Sequence, residues 1–356
     1  MSLWADKHKP LTLSELDYHK DQANRIQTLV TNGDFPHLLI CGAAGSGKKT
    51  RIHCILRELY GQGVDKLRLE HQEFVTPSHK KIDINLVVSN YHIEVNPSDV
   101  GIHDRVIIQD LIKSSASTLQ LDSIQQKEFK VIVMHEVDKL TPDAQHALRR
   151  TMEKYISSCR LILCAESTNK IIPAIRSRCL FIRVPSPSEK EIEKIIISTC
   201  QKESLIIPRA LAKRIAEASK GNLRQGLLIA EACKVQQYPF TDNQSIVLPD
   251  WVNFIKETVS IIISEQSPKK LLEVRGRLYE LLAHCIPEST IIRELTDELA
   301  AFCDLPLKLT LYQIAAQYEY QMNLGQKAIF HLEAFVAKFM SVFKSHFNVA
   351  SMDESF

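Results

Sequence analysis

The sequence predicts an α/β domain built around a parallel sheet, followed by two helical units, and three observations carry this prediction. A short apolar run at 38–41 leads into a glycine-rich loop and then into a helix-compatible segment. A second apolar run at 131–134 ends in polar and acidic residues, which is typical of a strand buried on both faces of a parallel sheet. Beyond the proline cluster at 185–187, the periodic segments are helical only.

The composition bounds the class of protein. A chain of 356 residues is too long for one ordinary core, so we expect two or three domains. With 45% hydrophobic residues and a net charge of +2, it is globular, and any contact with nucleic acid must come from a local patch. Nine scattered cysteines without a C-x-x-C pair favour reduced thiols and a nuclear or cytosolic protein. We expect no membrane span and no secretory signal.

The glycine-rich loop has the form of a phosphate-binding P-loop. The pattern G-x-x-x-x-G-K-[ST] is met at Gly42, Gly47 and Lys48, but Lys49 replaces the hydroxyl that would coordinate Mg²⁺. Glycines let backbone N–H groups turn inward around phosphate oxygens, and the following helix adds the positive end of its dipole. Alternatively, Lys49 points to solvent and Thr50 caps the helix. The candidate nucleotide-binding residues are Gly42, Ala43, Ala44, Gly45, Ser46, Gly47, Lys48, Lys49 and Thr50.

Five segments occur in the order and spacing of one known family: LWADKHKP, PHLLICGAAGSGKKT, VIVMHEVDKLTPDAQHALRRTMEKY, RLILCAESTNKIIPAIRSRC and GNLRQGLLIAEAC. On these motifs the chain resembles the AAA+ clamp-loader small subunits of the eukaryotic replication factor C family, over nearly its whole length. The resemblance implies an α/β AAA+ P-loop NTPase domain at 1–185, a small helical lid at 186–245 and an all-α collar for oligomerisation at 246–356.

The resemblance also implies a function. The chain would be one subunit of a hetero-pentamer that uses ATP to open the sliding clamp PCNA and load it onto primer-template DNA for replication and repair in the nucleus. Its own site would bind ATP or ADP. Two other hypotheses for the function remain open. One is an autonomous AAA+ ATPase or remodeller, and the other is a scaffold subunit that binds no nucleotide.

The end of the acidic strand departs from the pattern of a hydrolysing enzyme. Such enzymes end this strand with an Asp that helps to hold the metal, and the family adds a Glu that activates water. Here His135 stands at the Asp position, and Glu136 remains as a residual catalytic carboxylate. Imidazole is a poor ligand for Mg²⁺, and Lys49 has no oxygen to offer in place of the hydroxyl. The two residues together make Mg²⁺ doubtful at this site. We expect nucleotide binding with weak or absent hydrolysis; alternatively, Glu136 is a solvated carboxylate.

Further positions resemble parts of the family's nucleotide site. Glu166 stands where the family has a polar sensor, usually Asn, and its carboxylate near a γ-phosphate would repel it. His8, with Pro10, stands on the adenine side, where the family tends to have Tyr. Arg224 resembles the lid arginine that senses phosphate in the same subunit, although a plain surface role is the alternative.

Other residues resemble parts of the family that act between subunits. Arg178, in Ser-Arg-Cys, resembles the arginine finger that stabilises phosphoryl charge in a neighbour's ATP site. A structural salt bridge is the alternative. Arg149, Arg150 and Glu153 resemble interface residues that couple neighbouring sites, and ion pairing on the helix surface is the other explanation.

Contact with DNA is expected from basic side chains that follow the phosphate backbone without reading bases. The candidates are Arg105, Lys113 and the turn that carries Lys80 and Lys81. For each of these residues taken singly, a solvated charge is the favoured alternative. The sequence indicates no dedicated protein metal site.

Overall fold

The computed structural model describes residues 2–31, 35–75, 81–117 and 129–353. The chain divides into two compact units, Met1–Ile246 and Val247–Phe356. Each unit contains its own clusters of buried apolar side chains. Among the helices of the described ranges, none combines the length and the apolar character that a membrane crossing requires.

A single sheet organises the first unit. In the described residues its strands are β1 (Leu38–Cys41), β2 (Arg68–Val75), β3 (Lys81–Val88), β4 (His92–Val95), β5 (Lys130–Met134), β6 (Cys159–Ala165) and β7 (Leu180–Arg183). Their order is β2-β3-β4-β5-β6-β1-β7. The strands from β4 to β7 in this order are parallel, whereas β2, β3 and β4 pair antiparallel. Loops that follow β5, β6 and β1 therefore meet at one edge of the sheet, where α/β proteins place ligands.

Nine helices of the described residues surround or follow this sheet. They are α1 (Trp4–Lys7), α2 (Lys20–Thr31), α3 (Lys48–Tyr60), α4 (Asp104–Ser117), α5 (Pro142–Lys154), α6 (Pro173–Arg176), α7 (Glu189–Lys202), α8 (Arg209–Ala218) and α9 (Leu223–Gln236). Local chemistry sets several of their starts. Thr141 caps α5 ahead of Pro142, and Ser188 forms a capping box at the start of α7.

Apolar clusters cover both faces of the sheet, and a separate cluster holds α7, α8 and α9 together. Trp4 belongs to this last cluster and is 4% exposed. Its backbone N–H donates to Glu231, and the Lys234 ammonium lies 5.3 Å from the centre of its ring. Trp4 is therefore a packing anchor that ties the first residues of the chain to α9.

The second unit is helical within the described residues. It consists of α10 (Asp250–Ser264), α11 (Pro268–Ala283), α12 (Glu288–Ala300), α13 (Leu305–Leu324) and α14 (Ala328–Asp353). Aliphatic and phenylalanine side chains from all five helices form its core, with Phe335 and Phe339 among the fully buried ones.

Two local predictions differ from the structure. The sequence predicts one strand-like stretch over 82–95, but the chain turns at 89–91 and forms the separate strands β3 and β4. Lys81, predicted in a polar turn, is the first residue of β3 and pairs with Val75 of β2. Antiparallel pairing extends the strand beyond its apolar residues, because backbone hydrogen bonds do not require an apolar side chain.

Candidate nucleotide-binding site

A cavity of about 500 Å³ lies at the carboxyl edge of the sheet in the first unit, a volume typical of ligand pockets. The segment before α2, the glycine loop, the ends of β5 and β6, and helices α7 and α9 form its walls. The predicted site residues that line it are His8, Pro10, Ala44, Gly45, Gly47, Lys48, Lys49, Thr50, His135, Glu136, Glu166 and Arg224. The fold thus gathers them from widely separated stretches of the chain.

Glycines shape the loop between β1 and α3. Gly45 and Gly47 have φ angles of 70° and 83°, in the left-handed region that favours glycine. A Cβ on Gly42 would collide with the carbonyl oxygen of Val184. Gly47 immediately precedes α3, so the first N–H groups of this helix are available at the cavity for phosphate oxygens. Thr50 is the third residue of α3 and therefore does not cap it.

Three predicted loop residues, Gly42, Ala43 and Ser46, do not line the cavity. Ser46 is fully buried, and the N–H of Gly42 donates to Ala165 of β6. The Lys48 ammonium folds over the loop and donates to the carbonyl oxygens of Gly42 and Ala43, at 2.6 and 2.9 Å. Lys48 and Lys49 both line the cavity, so two neighbouring lysines contribute positive charge to it.

His135 faces a carboxylate on the neighbouring strand. It is 8% exposed, and its Nε2 lies 3.2 Å from Oε2 of Glu94 on β4. His92 approaches the other oxygen of Glu94, at 3.5 Å. Burial alone would raise the pKa of the Glu94 carboxyl, but the two imidazoles hold it well below its usual range. The His135 imidazole thus already has a half-buried anionic partner.

Glu136 follows with a left-handed backbone, at φ 54°. Its carboxylate accepts a hydrogen bond from the Lys139 ammonium at 2.8 Å, and the hydroxyl of Ser98 lies 3.4 Å away. The hydrogen bond from Lys139 lowers the pKa of Glu136, although burial opposes it. Such a carboxylate is ionised but is engaged by a cation, which weakens it as a base toward water.

Glu166 lines the cavity at the end of β6. The N–H groups of Glu166 and Ser167 donate to the carboxylate of Asp138, at 3.3 and 3.4 Å. Within the described residues, no cluster of His, Cys, Asp and Glu could hold a metal ion. With Lys49 and His135 at the positions that would serve Mg²⁺, the donor set does not fit this cation.

Part of the cavity lining is apolar. Pro10, Leu16 and Tyr18 form this part, together with Ile195 and Leu227 of the helices beyond the sheet. The His8 imidazole also lines the cavity and is hydrogen-bonded to Glu203, at the end of α7. A flat apolar wall with one imidazole suits the face of a nucleobase.

Arg224, the second residue of α9, completes the lining. Its guanidinium nitrogens lie 3.2 and 3.5 Å from the two oxygens of Asp6 on α1. Both side chains are about half exposed, so this pair contributes little to stability. The pair keeps the arginine at the rim of the cavity.

Comparison with known proteins places this geometry in a family. Residues 251–347 match the profile of the replication factor C subunit 3 C-terminal domain, and residues 194–235 match a RCF1/5-like AAA+ ATPase lid domain. Residues 18–188 match the DNA polymerase III delta subunit profile. The mouse protein named replication factor C subunit 3 is 59% identical over 97% of both chains. The chain belongs to the replication factor C subunit 3 family. The predicted resemblance to the small subunits of the replication factor C family is confirmed, and the comparisons specify subunit 3.

A plant relative is more distant in sequence. Replication factor C subunit 3 of Arabidopsis thaliana is 48% identical, over 96% of this chain and 98% of the relative. Among solved structures, the RuvB Holliday junction branch migration motor of Thermotoga maritima aligns with a TM-score of 0.51 at 16% identity. That alignment covers 76% of this chain and 85% of RuvB and supports the fold alone. The predicted fold class, an α/β AAA+ domain with a helical lid and an all-α C-terminal region, is confirmed.

In this member of the replication factor C subunit 3 family, Arg178 lies outside the cavity lining. Its Nε donates to Oε1 of Glu153 on α5 at 2.7 Å, and its Nη1 donates to the Ala174 carbonyl at 2.8 Å. Arg178 therefore makes the ion pair of the structural alternative, while its side chain remains 37% exposed. Arg150 of α5 is exposed, and Arg149 is half-buried.

The DNA candidates lie apart from the cavity lining. Arg105 and Lys113 are exposed on α4. Lys81 forms an exposed ion pair with Glu73 across the hairpin, and Lys80 lies outside the described residues.

Sequence reasoning missed several residues that the fold brings to the site. Three of them are carboxylates that pair with predicted site residues: Glu94 with His135, Asp6 with Arg224, and Glu203 with His8. The fourth is Tyr18, which forms part of the cavity wall. Glu94 and Glu203 lie in stretches without a motif, and Asp6 lies in the LWADKHKP segment without a predicted role, so only the three-dimensional pairing reveals them. Tyr18 precedes α2 as an isolated aromatic residue, which is a weak signal.

Proposed function

We propose that this chain is a subunit of the hetero-pentameric replication factor C clamp loader in the nucleus. The complex would open the ring-shaped clamp PCNA and load it onto primer-template DNA, for replication and repair. Membership of the replication factor C subunit 3 family supports the assignment. One observation supports the role of a subunit that binds nucleotide with little hydrolysis. The cavity combines a phosphate-binding loop with His135, which pairs with Glu94 at the position where a metal-binding Asp is expected.

The cavity has the chemistry for ATP or ADP. The N–H groups at the start of α3 and the ammonium of Lys48 would hold the phosphates, and Pro10 with His8 would face the base. Lys49 would supply a second positive charge where other P-loop proteins rely on a metal. Arg224 would reach the phosphates from the lid by releasing Asp6.

The same cavity is poor at hydrolysis. His135 is engaged by Glu94 and Glu136 by Lys139, so neither of these two residues is free to hold a metal or to activate water. Glu166 adds a further negative charge there. Bound nucleotide would therefore act as a structural element of this subunit.

Arg178 would act on a neighbouring subunit's ATP as an arginine finger. A guanidinium held by one carboxylate and one carbonyl has a defined direction, and its exposed side remains open to a partner. Glu153 would thus aim the arginine, while Arg149 and Arg150 of the same helix would contact the partner. Arg105, Lys113, Lys80 and Lys81 remain candidates for contact with DNA phosphates.

The division of labour predicts different effects of two substitutions on the ATPase of the assembled complex. Arg178→Ala should lower turnover by at least about tenfold, because an arginine finger in trans contributes about 10³–10⁵ where it is the main stabiliser of charge. Lys48→Ala should change turnover less than about twofold. Arg176→Ala, an exposed arginine two residues away, is the matched control and should leave turnover unchanged. Equal losses for Lys48→Ala and Arg178→Ala would refute this division.

Two measurements on the isolated chain separate the alternatives. An autonomous ATPase would show Mg²⁺-dependent turnover, and we expect none above background. A scaffold without nucleotide would bind neither ATP nor ADP, whereas we expect binding that persists in a metal chelator. Loss of all binding in chelator would show that Lys49 does not replace the metal.

A further inference from the structure

Arg51 is buried in the first unit, and no carboxylate in the described part of the chain forms an ion pair with it. It lies on α3, three residues after Lys48, and is 1% exposed. Its Nε and Nη1 have no hydrogen-bond partner among the described residues. Burying a guanidinium without an anion is costly, so such a side chain is kept only where other contacts compensate for it.

The Arg51 guanidinium contacts Tyr18 in two ways. Its Nη2 donates to the backbone carbonyl of Tyr18 at 3.0 Å, and the guanidinium carbon lies 5.0 Å from the centre of the Tyr18 ring. A planar cation over an aromatic face gains electrostatic energy, more so in a buried setting. Arg51 therefore fixes both the backbone and the ring of Tyr18.

Tyr18 in turn connects two walls of the cavity. It is 6% exposed and lines the cavity on its apolar side. Its hydroxyl donates to the carbonyl of Ser46 in the glycine loop at 2.8 Å. A Cβ on Gly47 would collide with the same hydroxyl, so the loop and the tyrosine are in close contact. The phosphate loop thus rests against Tyr18, which itself rests against Arg51.

We infer that Tyr18 and Arg51 are positioning residues that preset the glycine loop for phosphate binding. The inference rests on the proposed nucleotide binding. Where a metal and its hydroxyl ligand are missing, the phosphate end of the site relies more on a loop that is already in its binding shape. The hydroxyl of Tyr18 supplies this restraint at Ser46, and Arg51 prevents the tyrosine from turning away.

The test is Tyr18→Phe in the full chain, with Tyr60→Phe as the matched control. Tyr60 is a half-buried tyrosine whose hydroxyl also donates to a backbone carbonyl, that of Phe129, at 2.7 Å, but it does not line the cavity. Affinity for ADP and ATP is measured in chelator, together with the melting temperature without nucleotide. Tyr18→Phe should weaken binding by about three- to tenfold, the worth of one hydrogen bond, while Tyr60→Phe leaves it unchanged.

Both substitutions should lower the melting temperature to a similar extent, because each removes one buried hydrogen bond. Wild-type affinity in Tyr18→Phe, or an equal loss of affinity in Tyr60→Phe, would overturn the positioning role. Arg51→Met tests the second positioning residue and should weaken nucleotide binding at least as much as Tyr18→Phe. Failure of the wild-type chain to bind any nucleotide would instead refute the proposed function, and this inference with it.

Discussion

Lys49 and His135 occupy the two positions at which oxygen ligands for a metal are expected. Each is a departure from a motif, and together they indicate a phosphate site without a metal ligand. The structure adds Glu94, whose carboxylate pairs with the His135 imidazole at 3.2 Å. An Asp introduced at position 135 alone would face this carboxylate, and repulsion between them would raise the pKa of one of the two.

Restoring oxygen ligands should therefore require three changes. The combined variant Lys49→Thr, His135→Asp and Glu94→Gln supplies a hydroxyl and a carboxylate and removes the opposing charge. We expect nucleotide affinity to become dependent on Mg²⁺, with a loss of at least about tenfold in chelator, or about 1.4 kcal/mol. Titration of ADP with and without chelator measures the effect.

The matched control for this variant is Glu94→Gln alone, which should bind nucleotide independently of Mg²⁺, as we expect of the wild type. An affinity of the triple variant that is the same with and without chelator would show that the loss of metal binding has another cause. Much of this residue-level chemistry could be predicted from motifs, because P-loop ligands are local in sequence. Partners such as Glu94 could not, since they lie on another strand.

Among the elements, α13 presents an unusual face. Leu305, Leu309, Tyr312, Tyr320 and Leu324 are each at least half exposed, and at 100° per residue they share one side of the helix. The side chains on the other side, such as Leu307 and Leu311, are buried in the core of the second unit. The exposed side also carries Gln313 and Ala316 between Tyr312 and Tyr320, so the large apolar side chains of this stripe lie toward its two ends. Exposed apolar groups of this kind are typical of a protein interface.

The proposed assembly through the helical C-terminal region predicts that this stripe is needed. Leu309→Asp should weaken incorporation into the pentamer by at least about tenfold, because a charge would be buried at the interface. It should change the unfolding free energy of the isolated chain by less than about 0.5 kcal/mol, since the position is exposed. Co-purification with the other subunits and denaturant unfolding measure the two quantities.

Leu272→Asp on α11 is the matched control, because Leu272 and Leu309 are 64% and 66% exposed. Equal assembly of Leu309→Asp and wild type would exclude α13 from the interface. The helices themselves were predictable from apolar periodicity. The exposed stripe was not, because periodicity alone does not tell which of two apolar faces enters the core.

On the scale of the whole molecule, the chain has two independent sources of stability. The apolar clusters of the first unit hold the sheet and its helices, and a separate cluster from α10 to α14 holds the second unit. Each unit is long enough to bury a core of its own.

We therefore expect residues 247–356 to fold when expressed alone. Thermal unfolding followed by circular dichroism should give one cooperative transition with helical content close to that of α10 to α14. The complementary fragment 1–246 should retain the nucleotide affinity of the full chain, since every residue that lines the cavity lies within it. A fragment 247–356 without a cooperative transition would mean that its core needs further contacts.

The sequence by itself determined the fold class, the position of the phosphate loop and the replacement of the expected oxygen ligands by Lys49 and His135. These properties depend on local patterns, namely apolar periodicity, glycine spacing and residue type at a motif position. Only the tertiary structure decided which groups hold these side chains. Glu94 reaches His135 because β4 pairs with β5, and Tyr18 reaches the glycine loop because Arg51 holds it against α3. Such contacts join residues that are distant along the chain, and the order of strands and the packing of helices bring them together.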